Sequence, residues 1–253
     1  MLSAICCLLV LPLAWAGFGA PNKQIVAGRA AVNCEFPSIV HLIIKKKDGT
    51  FSCGGTLIDS LHVLTAAHCF GAGVKSVQVN IGTNENNKAG KFLLNAEEVI
   101  THGGFIERPM RNDIAIVKLS KRVQFSTCVK AATLAVTGQT FDHKTCVAAG
   151  WGKLGYELPS THVLQKVSMP IIPQEDCARK MDYARLNNQH ICAGDFSYGG
   201  ASTCMGDSGG PLYCPFDGRM VLAGITSFGY DCAIDAAIFT SVATFRDWID
   251  KNH

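Results

Sequence analysis

At 253 residues the chain is long enough for one large all-β unit or two small domains sharing an interface. Its 48% hydrophobic content and 17% charged residues indicate a globular protein and exclude a fibrous or disordered one. A formal net charge of +3 excludes a nucleic-acid-binding stripe, and the only basic run, Lys45-Lys46-Lys47, reads as a solvated turn flank.

In chain order, Leu8 to Leu13 is an apolar stretch followed by Ala14-Trp15-Ala16, the small-x-small pattern that signal peptidase accepts. Residues 1–16 are therefore expected to be a secretory signal and the protein to be extracellular, although no basic side chain precedes the apolar stretch. No later segment has about 18 consecutive apolar residues, so no membrane span is expected. Loss of residues 1–24 removes Cys6, Cys7 and Lys23, leaving ten cysteines, 22 basic and 20 acidic residues. An even cysteine count in an exported chain points to five disulfides. A zinc site is disfavoured, because Cys53 and Cys69 are the only pair close to a histidine and no Cys-x-x-Cys occurs.

Short apolar or alternating runs then recur at 38–44, 55–58, 74–81, 92–100, 114–119, 145–150, 163–170, 211–214, 220–227 and 237–242, separated by Gly-, Asn- and Asp-bearing turns. Such punctuation predicts a sandwich or barrel before any alternation of strand and helix. Pro159 and Pro173 break the middle, and residues 124–140 read as a long crossover between halves. At the carboxy terminus the period changes. Val242, Phe245, Trp248 and Ile249 share one helical face, which predicts a closing amphipathic helix docked on the second half.

The chemistry-bearing motifs lie on this frame. Cys204-Met205-Gly206-Asp207-Ser208-Gly209-Gly210-Pro211 places one serine among glycines that permit tight, exposed geometries. A serine hydroxyl is a poor nucleophile until a base takes its proton, and that base needs a group to orient it. Thr65-Ala66-Ala67-His68-Cys69 offers a histidine after an apolar strand read as Thr56 to Leu64, and Asn112-Asp113-Ile114 offers an aspartate at the mouth of another. Of the other histidines, His41, His62, His102, His143, His162 and His190 are expected at the surface or at strand edges, and His253 at a frayed end.

These three motifs, in this order, resemble those of the chymotrypsin-like secreted serine proteases of the trypsin family, from Ile25 to the end. The resemblance implies an all-β fold of two packed six-stranded antiparallel β-barrels with a C-terminal helix. It makes Ser208 the nucleophile, His68 the general base and acid, and Asp113 the buried group that orients the imidazole, with the backbone N–H groups of Gly206 and Ser208 as the oxyanion hole. It also implies the bridges Cys53–Cys69, Cys146–Cys214, Cys177–Cys192 and Cys204–Cys232, leaving Cys34 and Cys128 to pair by elimination. Ile25-Val26-Ala27-Gly28 resembles the family's mature amino terminus, whose new ammonium inserts beside the residue before the nucleophile, here Asp207. Residues 17–24 would then be a propeptide and 25–253 the protease. The chain departs from the family where Gln24, not Lys or Arg, precedes Ile25, with Lys23 one place earlier, and where Ala27 replaces a glycine.

The same resemblance puts Ser202 at the base of the specificity pocket, where no carboxylate is supplied for a substrate Lys or Arg. Gly229 matches an open wall, while Ala237 adds a methyl where glycine is usual. Ser227, Phe228 and Gly229 match the strand that pairs with substrate backbone, Phe228 standing for a tryptophan. Cleavage after Leu, Met, Phe or Tyr is expected. The alternatives are an elastase-like preference for smaller residues, basic specificity restored by Asp235, and a protease-like binding protein of weak activity. Neither cofactor nor metal is expected. The loop 82–87 is shorter than the family's calcium loop and carries one carboxylate, Glu85, with Glu97 and Glu98 more distant. No Asn-x-Ser/Thr sequon occurs. Expected partners are protein or peptide substrates, an activating protease and protein inhibitors, with a monomeric enzyme.

Overall fold

Alternation of apolar and polar side chains curls the first half of the chain into a barrel. The computed structural model describes residues 28–155, 157–181, 186–196, 200–229, 232 and 235–253. After a short β1 (Arg29–Ala30), six strands follow: β2 (Ile39–Lys46), β3 (Gly49–Leu57), β4 (His62–Thr65), β5 (Val74–Ile81), β6 (Phe92–Thr101) and β7 (Ala115–Leu119). They close in the order β2-β3-β4-β7-β6-β5. Val40, Leu42 and Ile44 of β2 and Val77, Val79 and Ile81 of β5 recur at every second position and are all buried, as a pleated strand with one inward face requires.

The second half repeats the solution with β8 (Thr145–Gly150), β9 (Gln165–Ile172), β10 (His190–Ala193), β11 (Pro211–Phe216), β12 (Arg219–Phe228) and β13 (Ala237–Ser241). Their order is β9-β10-β13-β12-β11-β8, and β8 pairs back onto β9 from Thr145↔Pro170 to Gly150↔Gln165. Every strand pair is antiparallel, and closure removes the unpaired edges that an open sheet would expose. The expected pair of six-stranded antiparallel barrels is therefore present, with β1 added to β9 at Arg29↔Lys166.

One apolar cluster runs through both barrels, from Leu42, Ile81 and Ile116 in the first to Leu212, Ile225 and Phe239 in the second. Phe239 is fully buried there, and its truncation to alanine costs about 3–5 kcal/mol at such sites. The stretch 124–140 holds no strand of either sheet and joins β7 to β8, as a crossover should. All five disulfides form with the pairings expected: Cys34–Cys128, Cys53–Cys69, Cys146–Cys214, Cys177–Cys192 and Cys204–Cys232.

Several elements differ from expectation. The run Thr56 to Leu64 is not one strand, because Asp59 Oδ1 accepts hydrogen bonds from the N–H groups of Leu61 and His62 and turns the chain between β3 and β4. Helix α1 (Gln174–Met181) follows Pro173, which starts a helix where it had read only as a breaker. Glu175 and Asp176 in its first turn and Arg179 and Lys180 in its last suit the helix dipole, and its buried Cys177 ties it to β10. The closing helix α2 (Arg246–Asn252) forms with Phe245 and Ile249 buried. It touches the first barrel as well as the second: the His102 ring lies 5.5 Å from Phe245 and 5.3 Å from Trp248, centroid to centroid. His253 is not frayed, since its Nδ1 donates to Ile249 O at 2.7 Å. His41 and His190, expected at the surface or at strand edges, are both buried, His41 within β2 and His190 at the first position of β10.

Candidate active site

A 3-10 turn, Ala67–Phe70, follows β4 and carries His68, with Cys69 anchored to Cys53 of β3. Asp113 immediately precedes Ile114 and β7, the strand paired with β4, so the barrel register brings the two residues together across 45 positions of sequence. The His68 backbone N–H donates to Asp113 Oδ1 at 2.9 Å, and its Nδ1 donates to Oδ2 at 2.7 Å. Asp113 is 1% exposed. Burial alone would raise its pKa, but the hydrogen bonds from His68 and Ser227 and the charge interaction with the imidazole outweigh it and hold the carboxyl below its ordinary value. An ionised carboxylate on Nδ1 leaves the lone pair of the neutral imidazole on Nε2.

Ser208 lies on the loop before β11, interlocked with the His68 turn. The Gly54 N–H of β3 donates to Ser208 O at 2.7 Å, and Gly209 N–H donates to Thr226 O at 2.8 Å. A Cβ on Gly209 would stand 2.2 Å from Thr65 Oγ1, and the residue has φ +76°, so only glycine fits between the two loops. Gly206 has φ +100°, a conformation that side-chain-bearing residues rarely adopt.

Asp207 points the other way, into a seat made by bare backbone. A Cβ on Gly152 would lie 2.6 Å from Asp207 Cγ. Gly152 N–H donates to its Oδ1 at 2.8 Å and Cys204 N–H to its Oδ2 at 2.9 Å. Complete burial pushes its pKa up to about 6, against the pull of those two hydrogen bonds. Ile25 lies outside the described residues.

Beside Ser208 opens a cavity of about 240 Å³ lined by Ser202, Thr226, Ser227, Phe228, Gly229 and Ala237, among others. All five residues expected at the pocket thus line one space with Ser208. Ser202 is buried, its hydroxyl donating to Thr203 O at 3.1 Å and lying 3.4 Å from Asp235 O. Among the described residues no carboxylate lines the cavity, Asp235 included. A Cβ on Gly229 would meet nothing closer than Ala236 O at 4.0 Å, so that wall is open. A larger cavity of about 490 Å³, walled by Phe141, Ile171 and His190, contains none of Ser208, His68 or Asp113.

Three features escaped sequence reasoning. Ser227 was expected only to pair with substrate backbone, yet its hydroxyl also donates to Asp113 Oδ2 at 2.5 Å. Thr240 Oγ1 donates to Asp113 O at 2.9 Å. His190 donates from Nε2 to Met110 O and sets its ring edge-on to Phe228 at 5.7 Å, burial keeping it below its ordinary pKa. All four contacts join residues distant in sequence, and no local pattern signals them. His41 has its Nε2 2.5 Å from Ser52 Oγ, while its Nδ1 has no hydrogen-bond partner among the described residues. Burial lowers its pKa to about 4.

The family model described as Trypsin matches residues 25–249. A curated protein of Phaedon cochleariae named "Trypsin" is 34% identical over 240 residues, covering 91% of this chain and 89% of its own length. With two closed barrels, five disulfides and a match spanning both halves, the chain belongs to the trypsin family of serine endopeptidases.

Proposed function

We propose that the protein is a secreted endopeptidase that cuts after Leu, Met, Phe or Tyr through Ser208, His68 and Asp113. The observation that carries this reading is the cavity beside Ser208, which no carboxylate among the described residues lines, with Ser202 buried in its wall and Gly229 leaving one side open. A substrate Lys or Arg would enter it without a countercharge among the described residues, a loss that a buried cation does not tolerate. The Ala237 methyl favours a second reading, an elastase-like preference for smaller side chains, because it lines the same cavity.

In the mechanism, an extended substrate pairs with Ser227–Gly229 and presents its carbonyl to Ser208. Ser208 Oγ attacks the carbonyl carbon while His68 Nε2 takes the hydroxyl proton, and Asp113 supports the resulting imidazolium. The N–H groups of Gly206 and Ser208 receive the developing oxyanion. His68 then protonates the leaving amine, giving an acyl-enzyme, and activates the water that releases it. The hydrogen bonds to Asp113 support its assigned role, because they keep the carboxylate ionised and aimed at Nδ1.

Residues 1–16 act as the export signal and 17–24 as a propeptide, in keeping with a five-disulfide chain. Cleavage after Gln24 frees the Ile25 ammonium to pair with Asp207, whose buried carboxyl otherwise lacks a cation among the described residues. The activating protease must accept glutamine, or trim Gln24 after a cut at Lys23.

Digestion of a peptide library, with mass spectrometry of the new ends, tests the specificity. Cuts mainly after Leu, Met, Phe or Tyr are expected; cuts mainly after Lys or Arg would overturn the pocket reading. A serine-reactive phosphonate should label Ser208, and failure of both labelling and hydrolysis would refute the enzyme itself.

A further inference from the structure

We propose that His62 and His253 together bind a divalent transition ion of the zinc class, which would clamp the C-terminal helix to the first barrel. Neither residue belongs to the machinery assigned to peptide cleavage. Cysteine spacing, the only zinc signal weighed in the sequence, gives no reason to pair these two histidines.

His62 opens β4 and His253 caps the end of α2, and their rings lie 6.0 Å apart, centroid to centroid, at an interplanar angle of 81°. Each ring is held by its Nδ1. His62 Nδ1 donates to Asp59 Oδ2 at 2.7 Å, and His253 Nδ1 donates to Ile249 O at 2.7 Å. Asp59 is itself fixed, because its Oδ1 accepts from the N–H groups of Leu61 and His62. Burial would raise its pKa, but those hydrogen bonds and the charge interaction with His62 outweigh it and hold the carboxyl below its ordinary value. A neutral imidazole that gives its Nδ1 proton to such an acceptor carries its lone pair on Nε2, the atom a metal takes. Neither Nε2 has a hydrogen-bond partner among the described residues. Metal-binding histidines are built in this way, with the second nitrogen tied to a carboxylate or a backbone carbonyl that fixes the ring and raises the basicity of the ligand atom. Here one ring has the carboxylate and the other the carbonyl.

The spacing suits one shared ion. At about 2.0–2.1 Å from metal to each Nε2, two imidazole centroids stand about 5 Å apart when the ligand angle is tetrahedral and about 6 Å apart when it is wider. The observed separation therefore needs at most about 1 Å of closing. That adjustment falls to His253, which is exposed, whereas His62 is set by the β4–β7 pairing. Among the described residues no group of three or more His, Cys, Asp or Glu is gathered to hold a metal, so water would complete the coordination. Lys118, opposite His62 on β7, is offset by Glu97 at 3.2 Å, and the Arg122 guanidinium, bonded to Ser60 Oγ, is offset by the neighbouring Asp59. A dication thus meets no net positive charge from these groups. Imidazole nitrogen selects Zn2+, Cu2+ and Ni2+, whereas Mg2+ and Ca2+ favour all-oxygen shells. A bound ion would tie the end of α2 to β4, the strand that leads into the His68 turn.

The test titrates ZnCl2 calorimetrically into the chain processed to begin at Ile25, in a Ser208→Ala background to stop autolysis. One ion is expected to bind, with Cu2+ tighter than Zn2+ and Mg2+ giving no heat. Asp59→Asn keeps an acceptor for the Leu61 and His62 N–H groups but removes the carboxylate behind the ring, and should weaken Zn2+ about 10- to 100-fold. His62→Gln and His253→Gln each remove a ligand and should cost at least about tenfold. His143→Gln and His162→Gln should leave binding unchanged. Zn2+ should raise the Tm of the parent and not that of His253→Gln. The exposed His253 keeps the test open should His62→Gln fail to fold, which thermal unfolding in a chelator would show. Absence of Zn2+ binding at millimolar metal, equal binding of Mg2+, or binding that survives His253→Gln would overturn the proposal. Binding lost on His68→Gln and kept in both other histidine variants would also overturn it, assigning the ion to the cleavage site. None of these readouts uses peptide hydrolysis, so the endopeptidase reading stands or falls separately.

Discussion

Asp207 offers a quantitative handle on activation. Its carboxyl is fully buried, accepts hydrogen bonds among the described residues from the Gly152 and Cys204 N–H groups, and has a pKa raised from 3.8 to about 6. Between those two values the folded, unprocessed chain binds a proton that the unfolded chain has released, so stability is full below about pH 4 and declines as pH rises through 6. A displacement of that size corresponds to roughly 3 kcal/mol. The amide introduced by Asp207→Asn does not titrate, so the variant should gain roughly 3 kcal/mol on its parent as pH goes from 4 to 7. Urea unfolding of the unprocessed chain across this range, in a Ser208→Ala background to stop autolysis, measures it. Only the difference between parent and variant isolates the group, because the buried His41 slopes the other way. After processing, the Ile25 ammonium should favour the carboxylate and abolish or reverse the decline. Parallel pH profiles for parent and variant before processing would refute the buried-carboxylate argument; an unchanged decline after processing would refute the ion pair.

Four further outcomes follow from the same geometry. His41, with its folded pKa lowered to about 4, should contribute stability that is present above pH 6.5 and lost as pH falls toward 4, and a His41→Gln variant should lack that acid-side loss in the same unfolding series. Gly152→Ala drives a methyl to within 2.6 Å of Asp207 Cγ and should lower stability by about 1–3 kcal/mol together with kcat, read by unfolding and peptide hydrolysis. Ser202→Asp puts a carboxylate against the carbonyls of Thr203 and Asp235, so kcat/KM for Leu and Phe substrates should drop about 100-fold or more while the Lys/Phe ratio rises. A Cys34→Ser, Cys128→Ser variant opens a bridge spanning 94 residues and should lose up to about 4–5 kcal/mol by chain entropy, seen as a lower Tm.

Local chemistry made much of the molecule readable in one dimension. Strand β8 was legible to the residue because Thr145–Gly150 is a short apolar run between turns. Helix α2 was legible because Phe245 and Ile249 keep a helical period. Helix α1 was hidden by its eight residues, too few for a clear period, and by Pro173, which marks a helix start as readily as a break. The break at Asp59 was masked by the apolar residues on both sides, which read as one strand until the carboxylate took up the Leu61 and His62 N–H groups.

Residue order and type were enough to show a serine among glycines, a histidine beside a cysteine and an aspartate before an apolar strand, because these are covalent neighbours whose chemistry does not depend on the rest of the chain. Two closed barrels supplied everything that depends on distant neighbours. The β4–β7 register set Asp113 on His68, β12 brought Ser227 to the same carboxylate, and the bare backbone of Gly152 seated Asp207. A carboxylate's pKa is set by what surrounds it in space. Asp113 is therefore held low by His68 and Ser227, 45 and 114 residues away in sequence, while complete burial pushes Asp207 high against two backbone hydrogen bonds, and only the packed structure decides which is which.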